Sequence, residues 1–518
     1  EEKPQNNSNS FGSRKIRIFD VEVGVDYNRV FGKHDVAATL MYNNNQESDD
    51  TEKLTNFHQG VFGRATYVFG SRYIAEFSFA YQGSEQLPPD NRYGFFPAGS
   101  VGWVLSEEPF IKRNIGNVLS FMKLRASYGL SGNDDGIPYY YYLPSFKLNS
   151  SNRYNFGVTG TNVAGWVEDG LYNEHVTWEE SKKLNLGADI RLFKDRLSLG
   201  FDYFDEQTSQ ILTERMSVSS LLGMGAGTGP LGNVGKTKNR GYEAQIAYTD
   251  HYKDFWWTVG GNIAYAHNEI LFNDEQAYAY NYRKTVGHSI NDIFGYVANG
   301  LYFDEQDMLN SPSTSFGTAF PGDIKYRDLN GDGIVDNQDQ KRLGHSNLAE
   351  TNYAFFVGLN WKGFDFNMLF TGVANRNYYM KNTSAAVIAF YNVAGTGGKY
   401  DGNVQQYHWD HRYNPSDPST WKTATYPRLS LAGRDHNTQQ SSFWLENGNF
   451  LRLKNLEVGY TLPRRITQKW YISKARIFYS GYNLATWDNM RMLDPESGPN
   501  ANNYPVQVVH SIGINIQF

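Results

Sequence analysis

Val506-Gln-Val-Val-His-Ser-Ile-Gly-Ile-Asn-Ile-Gln-Phe518 reads as two interleaved sets of residues. Val506, Val508, His510, Ile512, Ile514, Ile516 and Phe518 form one; Gln507, Val509, Ser511, Gly513, Asn515 and Gln517 form the other. Successive side chains of an extended strand point to opposite faces, so this alternation sets an apolar face against a small, mostly polar one. Working outward, the pattern recurs in Leu184, Leu186, Ala188, Ile190 and Leu192 and in Leu197, Leu199, Phe201 and Tyr203. It recurs again in Tyr242, Ala244, Ile246 and Tyr248 and in Trp257, Val259, Gly261, Ile263 and Tyr265. These runs last about nine to thirteen residues, longer than the usual strand and as long as a tilted strand needs to cross a bilayer. We count roughly sixteen such segments over the chain, with boundaries soft by several residues.

The connections are of two kinds. Phe193-Lys194-Asp195-Arg196, Thr249 to Asp254 and Trp361-Lys362-Gly363-Phe364 are short turns; about 131–182, 213–233, 266–292, 303–352 and 375–447 are long and irregular. Short turns on one side and long loops on the other are the asymmetry of an outer-membrane barrel, with the long loops outside the cell. The expected fold class is therefore all-β, a transmembrane antiparallel β-barrel. A mean hydropathy of -0.57 is compatible, because strands with one lipid-facing and one lumen-facing side average out polar. The 37 tyrosines among 518 residues suit a protein whose rings lie between lipid and water.

Other classes fall away. No apolar stretch approaches the ~18 residues of a spanning helix. A formal charge of -6 leaves no basic footprint for nucleic acid. The absence of cysteine excludes disulfides and thiolate metal sites. Glu1 to Ser10 lack the charged and apolar regions of a signal peptide, so the chain is expected to be mature or to begin in mid-protein. A soluble propeller or sandwich is the rival architecture, but its strands are shorter and more evenly spaced.

Asn449-Phe-Leu-Arg-Leu-Lys-Asn-Leu-Glu-Val-Gly-Tyr-Thr-Leu-Pro463 resembles a signature of the SusC/RagA family of TonB-dependent transporters. Ala475-Arg-Ile-Phe-Tyr-Ser-Gly-Tyr-Asn-Leu484, Asp494-Pro-Glu496 and the terminal Phe518 resemble the family's closing hairpins. Phe95-Phe-Pro97, Gly102-Trp103, Lys123-Leu-Arg-Ala-Ser-Tyr-Gly129 and Gly132-Asn133 are similar to its mid-barrel strands. So are Trp178-Glu179, Asn233-Val-Gly235 and Asn239-Arg-Gly-Tyr-Glu243. The resemblance implies a 22-stranded barrel with a plugged lumen, of which residues 1–518 would be the larger, C-terminal part, with external loops near 131–182, 303–352 and 375–447. It implies a nutrient importer for oligosaccharides or peptides in the outer membrane of a Gram-negative bacterium. A SusD-like lipoprotein would be its lid, and the TonB complex would pull on the plug. The N-terminal plug is absent from these residues, and we expect it, with the first strands, in a separate or further part of the molecule. The rival functions are a passive porin-like channel and a secreted calcium-dependent glycan-binding β protein.

Asp328-Leu-Asn330-Gly-Asp332-Gly333-Ile334-Val-Asp336-Asn-Gln-Asp339 has the oxygen-rich spacing of a calcium loop. Asp328, Asn330 and Asp332 would converge on one ion, Ile334 would offer its carbonyl, Asp336 would act directly or through water, and Asp339 would close the shell. The last position departs from the usual Glu, as in dockerin-like loops, and the plain alternative is a solvated Asn-Gly and Asp-Gly turn. The aromatic loop residues Trp166, Tyr407, Trp409 and Trp421 are the candidate substrate contacts, with Tyr139 to Tyr142, Tyr400, Tyr413 and Tyr426 nearby in sequence. Flat rings suit sugar faces and peptide side chains, and they equally suit loop packing or contact with a lid. His408, Asp410 and His411 lack a third histidine at helical spacing and read as surface. Glu107-Glu108, Asp134-Asp135 and Glu179-Glu180 put neighbouring carboxylates on opposite strand faces. No nucleophile elbow, zinc helix or phosphate loop is present, so no enzymatic chemistry is expected.

Overall fold

In the computed structural model fifteen antiparallel strands join edge to edge in chain order as one meandering sheet. The structure describes residues 15–49, 55–138, 140–156, 161–168, 171–218, 229–380, 389, 404–430, 436–491, 493–498 and 506–518. β1 (Ile16–Phe31) and β2 (His34–Asp49) open the sheet. β3 (Asn56–Phe69), β4 (Tyr73–Ser84), β5 (Tyr93–Val104) and β6 (Leu119–Asn133) follow. β7 (Glu179–Leu192), β8 (Leu197–Glu214), β9 (Leu231–Tyr252) and β10 (Phe255–Phe272) include the longest. β11 (Thr351–Trp361), β12 (Phe364–Ala374), β13 (Phe450–Thr461), β14 (Lys474–Asp488) and β15 (Val509–Gln517) complete it.

The register fixes the two faces. One row across neighbouring strands runs Ile190, Leu199, Ile246, Gly261, Phe355 and Phe370. The next row, one residue along, runs Asp189, Gly200, Gln245, Asn262, Ala354 and Thr371. Directly paired residues share a face and a one-residue step changes it, so the first row is hydrocarbon and the second polar. Aromatic rows bound the apolar face at both heights. Near the short turns Phe255 pairs with Trp361, which pairs with Phe364, whose ring lies 4.4 Å from that of Tyr460. Toward the long loops Tyr81 stacks on Tyr93 at 5.3 Å and Tyr242 meets Tyr265 at 5.4 Å. From Tyr73 to Tyr81 the strand advances about 26 Å, which at a barrel strand's usual tilt spans roughly 19–21 Å of the apolar band's height.

The tight turns follow from backbone chemistry. Lys362 and Gly363 join β11 to β12 with φ of +46° and +93°, the doubly left-handed form that matches the twist of paired strands. A Cβ on Gly363 would sit 2.8 Å from the Thr461 carbonyl oxygen, so this position excludes a side chain twice over. At the sheet's two margins, β1 has only β2 beside it and β15 only β14 among the described residues.

Two expectations are corrected. The strands run to 22 residues in β9, because they continue past the bilayer as a wall beneath the loops. The segment between the expected loops 266–292 and 303–352 is not a barrel strand, which leaves fifteen rather than about sixteen. It holds two short strands, Ile293–Gly295 and Ala298–Leu301, which pair with Lys341–Gly344 and Ile324–Tyr326. Residues 273–350 are thus one connection. It packs with the described residues of 375–449 around Tyr296, Ile324, Tyr326, Val335, Tyr378 and Trp444 as a domain with its own core. A smaller core joins Leu87 and Phe96 to Ile137, Val176 and Trp178.

Candidate functional site

The loop from Asp328 to Asp339 winds around its own carboxylates. Asp328 accepts from the Gly331 and Gly333 N–H groups at 2.6 and 2.8 Å. Asn330 accepts from the Asp332 N–H, and Asp332 from the Ile334 N–H, both at 2.9 Å. Gly331 and Gly333 supply φ of +78° and +87°, which lets these Asx turns follow one another. Asp336 caps the short helical turn Asn337–Asp339. Asp339, fully buried, accepts from the backbone N–H groups of Leu329, Asn330 and Asp336. Ile334–Val335 pairs with Ser313–Thr314, and Val335 enters the core. The loop is thereby anchored on the domain while Asp332 at its tip meets solvent. Among the described residues no three His, Cys, Asp or Glu side chains are gathered as a metal-holding group.

The aromatic candidates divide. Trp166 is exposed on a hairpin formed by Phe146–Phe156 and Thr161–Glu168. Trp409 is also exposed, with the Arg412 guanidinium 3.5 Å from its ring centre. Tyr407 is half-buried and stacks on His411 at 4.3 Å. Trp421 is half-buried too: it stacks on buried Tyr413, meets Phe303 edge-on, and donates to the Asn414 carbonyl at 3.0 Å. Tyr426 lies in the core. Tyr139 and Tyr400 lie outside the described residues. His408, Asp410 and His411 share the helix Gln406–His411, where His408 points inward and Asp410 accepts from Gln406.

Sequence reasoning missed the polar heart of the loop domain. Buried Asp323 faces the Arg428 guanidinium at 2.7 Å and accepts from Asn437 at 2.7 Å. His436 meets the Ile324 carbonyl at 2.7 Å, and the Tyr326 hydroxyl donates to the His436 carbonyl at 2.8 Å. Burial pushes the His436 imidazole below its usual value and the Tyr326 phenol far above its own. The partners lie more than a hundred residues apart in the chain, so no local pattern marks them. A second missed feature explains two motifs at once. Arg452 of β13, fully buried, bonds both Asp494 and Glu496, the latter at 2.6 Å. The Asn449–Pro463 stretch and the Asp494-Pro-Glu496 stretch are therefore two halves of one clamp.

Among the described residues Ser84, His58 and Asp134 come together, but not as a nucleophile and its base. Ser84 donates to Asp134 and the His58 ring bonds the same carboxylate oxygen at 2.7 Å, so one acceptor serves both. The inner sheet face instead carries charge-paired arginines. Arg125 lies between Asp189 and Asp202, and Arg476 between Asp365 and Glu457.

Residues 4–341 match the family model described as TonB dependent receptor-like, beta-barrel. The TonB-dependent receptor P3 of Formosa agariphila is 29% identical over 489 residues, covering 88% of this chain and 45% of that protein. The TonB-dependent receptor SusC of Bacteroides thetaiotaomicron is 28% identical over 475 residues, covering 88% and 43% respectively. The chain thus spans about half the length of these relatives. Among solved structures, the RagAB peptide transporter superposes with a TM-score of 0.71 at 21% identity, over 98% of this chain and 56% of the other, a likeness of fold. With the alternating faces, the aromatic rows and the turn–loop asymmetry, these matches establish that the chain belongs to the TonB-dependent receptor β-barrel family of the outer membrane.

Proposed function

We propose that this chain supplies the larger part of the wall, and the outer loops, of a SusC-like nutrient importer. Oligosaccharides or peptides would enter from the loop side, with a SusD-like lipoprotein as lid. The TonB complex would act through a plug carried by the N-terminal part of the molecule. Further strands would satisfy the free margins of β1 and β15, since unpaired backbone in hydrocarbon costs several kcal/mol per group. The observation that carries this reading is the register-locked two-faced sheet: hydrocarbon outside, and inside a polar wall with paired charges that water and polar cargo can wet. The protein would perform no covalent chemistry. Exposed Trp166 and Trp409 are the ring faces best presented to cargo or lid, while Tyr407 and Trp421 would contribute mainly by holding loops together. The test is uptake of labelled oligosaccharide and peptide pools by cells carrying or lacking the gene, with and without TonB. Loss of uptake in both deletions supports the importer; uptake that survives loss of TonB marks a passive channel.

We further propose that the 328–339 loop takes calcium, through Asp328, Asn330, Asp332, the Ile334 carbonyl and Asp336, with Asp339 bracing the loop. The oxygen-rich spacing and the two left-handed glycines support this reading; each of these side chains also accepts backbone N–H groups, and Asp339 accepts three. Calcium would stiffen the loop. Calorimetric titration with calcium should show binding, and Asp328→Ala together with Asp332→Ala should abolish it; no heat with the unaltered protein would overturn the assignment.

A further inference from the structure

We infer that the outward face of β3 to β6 is a seat for one glycerophospholipid of the periplasmic leaflet. This rests on the outer-membrane barrel, with its short turns toward the periplasm. The register collects small residues into one patch: Ala75 pairs with Val101, Val101 with Ala126, and Gly99 lies one outward step along from Val101. Rings frame the patch. Tyr67 pairs with Ala75 on one flank, Phe77 and Tyr128 flank Gly99 above, and Tyr73 and Trp103 close the row below. Tyr67, Tyr73, Ala75, Val101, Trp103, Leu124 and Ala126 wall a groove of ≈ 580 Å³, almost entirely with carbon.

Gly99, next to the groove, leaves the outward face open above it. A Cβ there would meet nothing nearer than the Glu76 carbonyl oxygen at 3.8 Å, whereas at Gly132 it would strike the Phe96 ring at 2.0 Å. A hollow on a lipid-facing surface forfeits dispersion contacts unless an acyl chain fills it. The groove is continuous with the apolar face already turned to the bilayer, so its occupant is a membrane lipid.

The lower end selects which lipid. The Tyr73 hydroxyl and the Trp103 indole N–H both donate to one oxygen of Glu108, at 2.6 and 3.1 Å, and Arg72 donates to the other at 3.0 Å. Glu108 is buried, so these bonds fix both rings with their polar edges toward the turn. That is the depth at which Trp and Tyr lie in a bilayer. Glu108 leads into α1 (Pro109–Ile115), a short helix with Phe110 and Ile115 exposed and Lys112 and Arg113 beside them. Exposed apolar side chains with adjacent cations are the composition of an interfacial segment. Lys112 pairs with Glu107, while Arg113 has no ion pair among the described residues. The acyl chain therefore lies over Ala75, Val101 and Ala126, and the phosphate meets Arg113 on the periplasmic side.

Native mass spectrometry of the full-length protein, extracted in mild detergent, tests this. The unaltered protein should retain one glycerophospholipid per molecule. Ala75→Trp with Ala126→Trp should lower retention at least tenfold, while Ala244→Trp elsewhere on the outward face should leave it unchanged. Arg113→Gln should reduce the ratio of anionic to zwitterionic lipid severalfold. If the double variant does not assemble, Val101→Phe fills the same groove with one substitution and should give the same loss. Equal retention by the groove-filled protein, or lipid A as the retained species, would overturn the seat. A protein that leaves cells without detergent would instead fail the barrel reading itself.

Discussion

Ile246 in the wall and Val335 in the loop domain are both aliphatic, yet the first is 52% exposed on the chain and the second wholly buried. The wall turns its hydrocarbon outward, row upon row, because its solvent on that side is lipid. The loop domain turns its hydrocarbon inward and seals it with buried polar bonds, because its solvent is water. One chain thus carries two opposite solutions to the placement of apolar surface, and the boundary between them is the rim where strands end and long loops begin. The difference has energetic content. In the wall the satisfied groups are backbone ladders, and side chains carry only the face. In the loop domain the backbone is irregular, and side chains such as Asp323, Asn437 and Tyr326 hold it.

The sharpest way to break this contrast is in the loop domain. Arg428→Ala would strip the fully buried Asp323 carboxylate of its guanidinium and cost roughly 3–5 kcal/mol, the usual penalty of an unpaired buried charge. Limited proteolysis should then cut within 273–350 or 375–449 while the wall stays protected. In the wall, Ile246→Arg should cost about 2–4 kcal/mol in lipid, as for a cation near the midplane of a barrel's outer face. Gln245→Arg, one residue along and inward, should leave the midpoint of denaturant unfolding in lipid nearly unmoved. A sheet wetted by water on both faces would show no such difference at adjacent positions.

The smallest effect is a pH dependence confined to the loops. His436 is held neutral by burial, its folded value lying below the ordinary 6.5. The unfolded loop therefore binds the proton more readily, and the stability contributed by the buried neutral ring is complete above pH 6.5 and shrinks as pH falls below it. Protection factors of amides in 296–326, which remove the intrinsic pH dependence of exchange, should fall between pH 7 and 5 in the unaltered protein, and His436→Gln should flatten that response while the wall amides keep their protection.

The wall was legible in the sequence because a period of two is a local signal: Ala244, Ile246 and Tyr248 announce their face without reference to any other strand. Turn chemistry at Lys362-Gly363 was equally local. The loop domain was not legible, because its core draws Tyr296, Tyr326, Tyr378 and Trp444 from separate connections with no shared period. The same blindness hid the pairing of the segment between the expected loops 266–292 and 303–352. Ile293 to Leu301 has the composition of a strand, and only its partners within the loop, Lys341–Gly344 and Ile324–Tyr326, reveal that it is too short and wrongly placed to cross a membrane. Of the candidate site, the Asp328–Asp339 turn was visible in its spacing, while the burial of Asp339 on backbone donors was not. Arg452 and the Asp494-Pro-Glu496 motif were visible as strings and invisible as a contact.

Because the chain has no cysteine, spin labels can be placed singly from Ala244 to Tyr248 in the protein reconstituted into bilayers. Collision rates with oxygen, which concentrates in lipid, and with a water-soluble nickel complex then read each side chain's surroundings. Oxygen should dominate at Ala244, Ile246 and Tyr248 and nickel at Gln245 and Ala247, switching at every step. Uniform accessibility along the five positions, or oxygen access on the glutamine side, would contradict the two-faced wall.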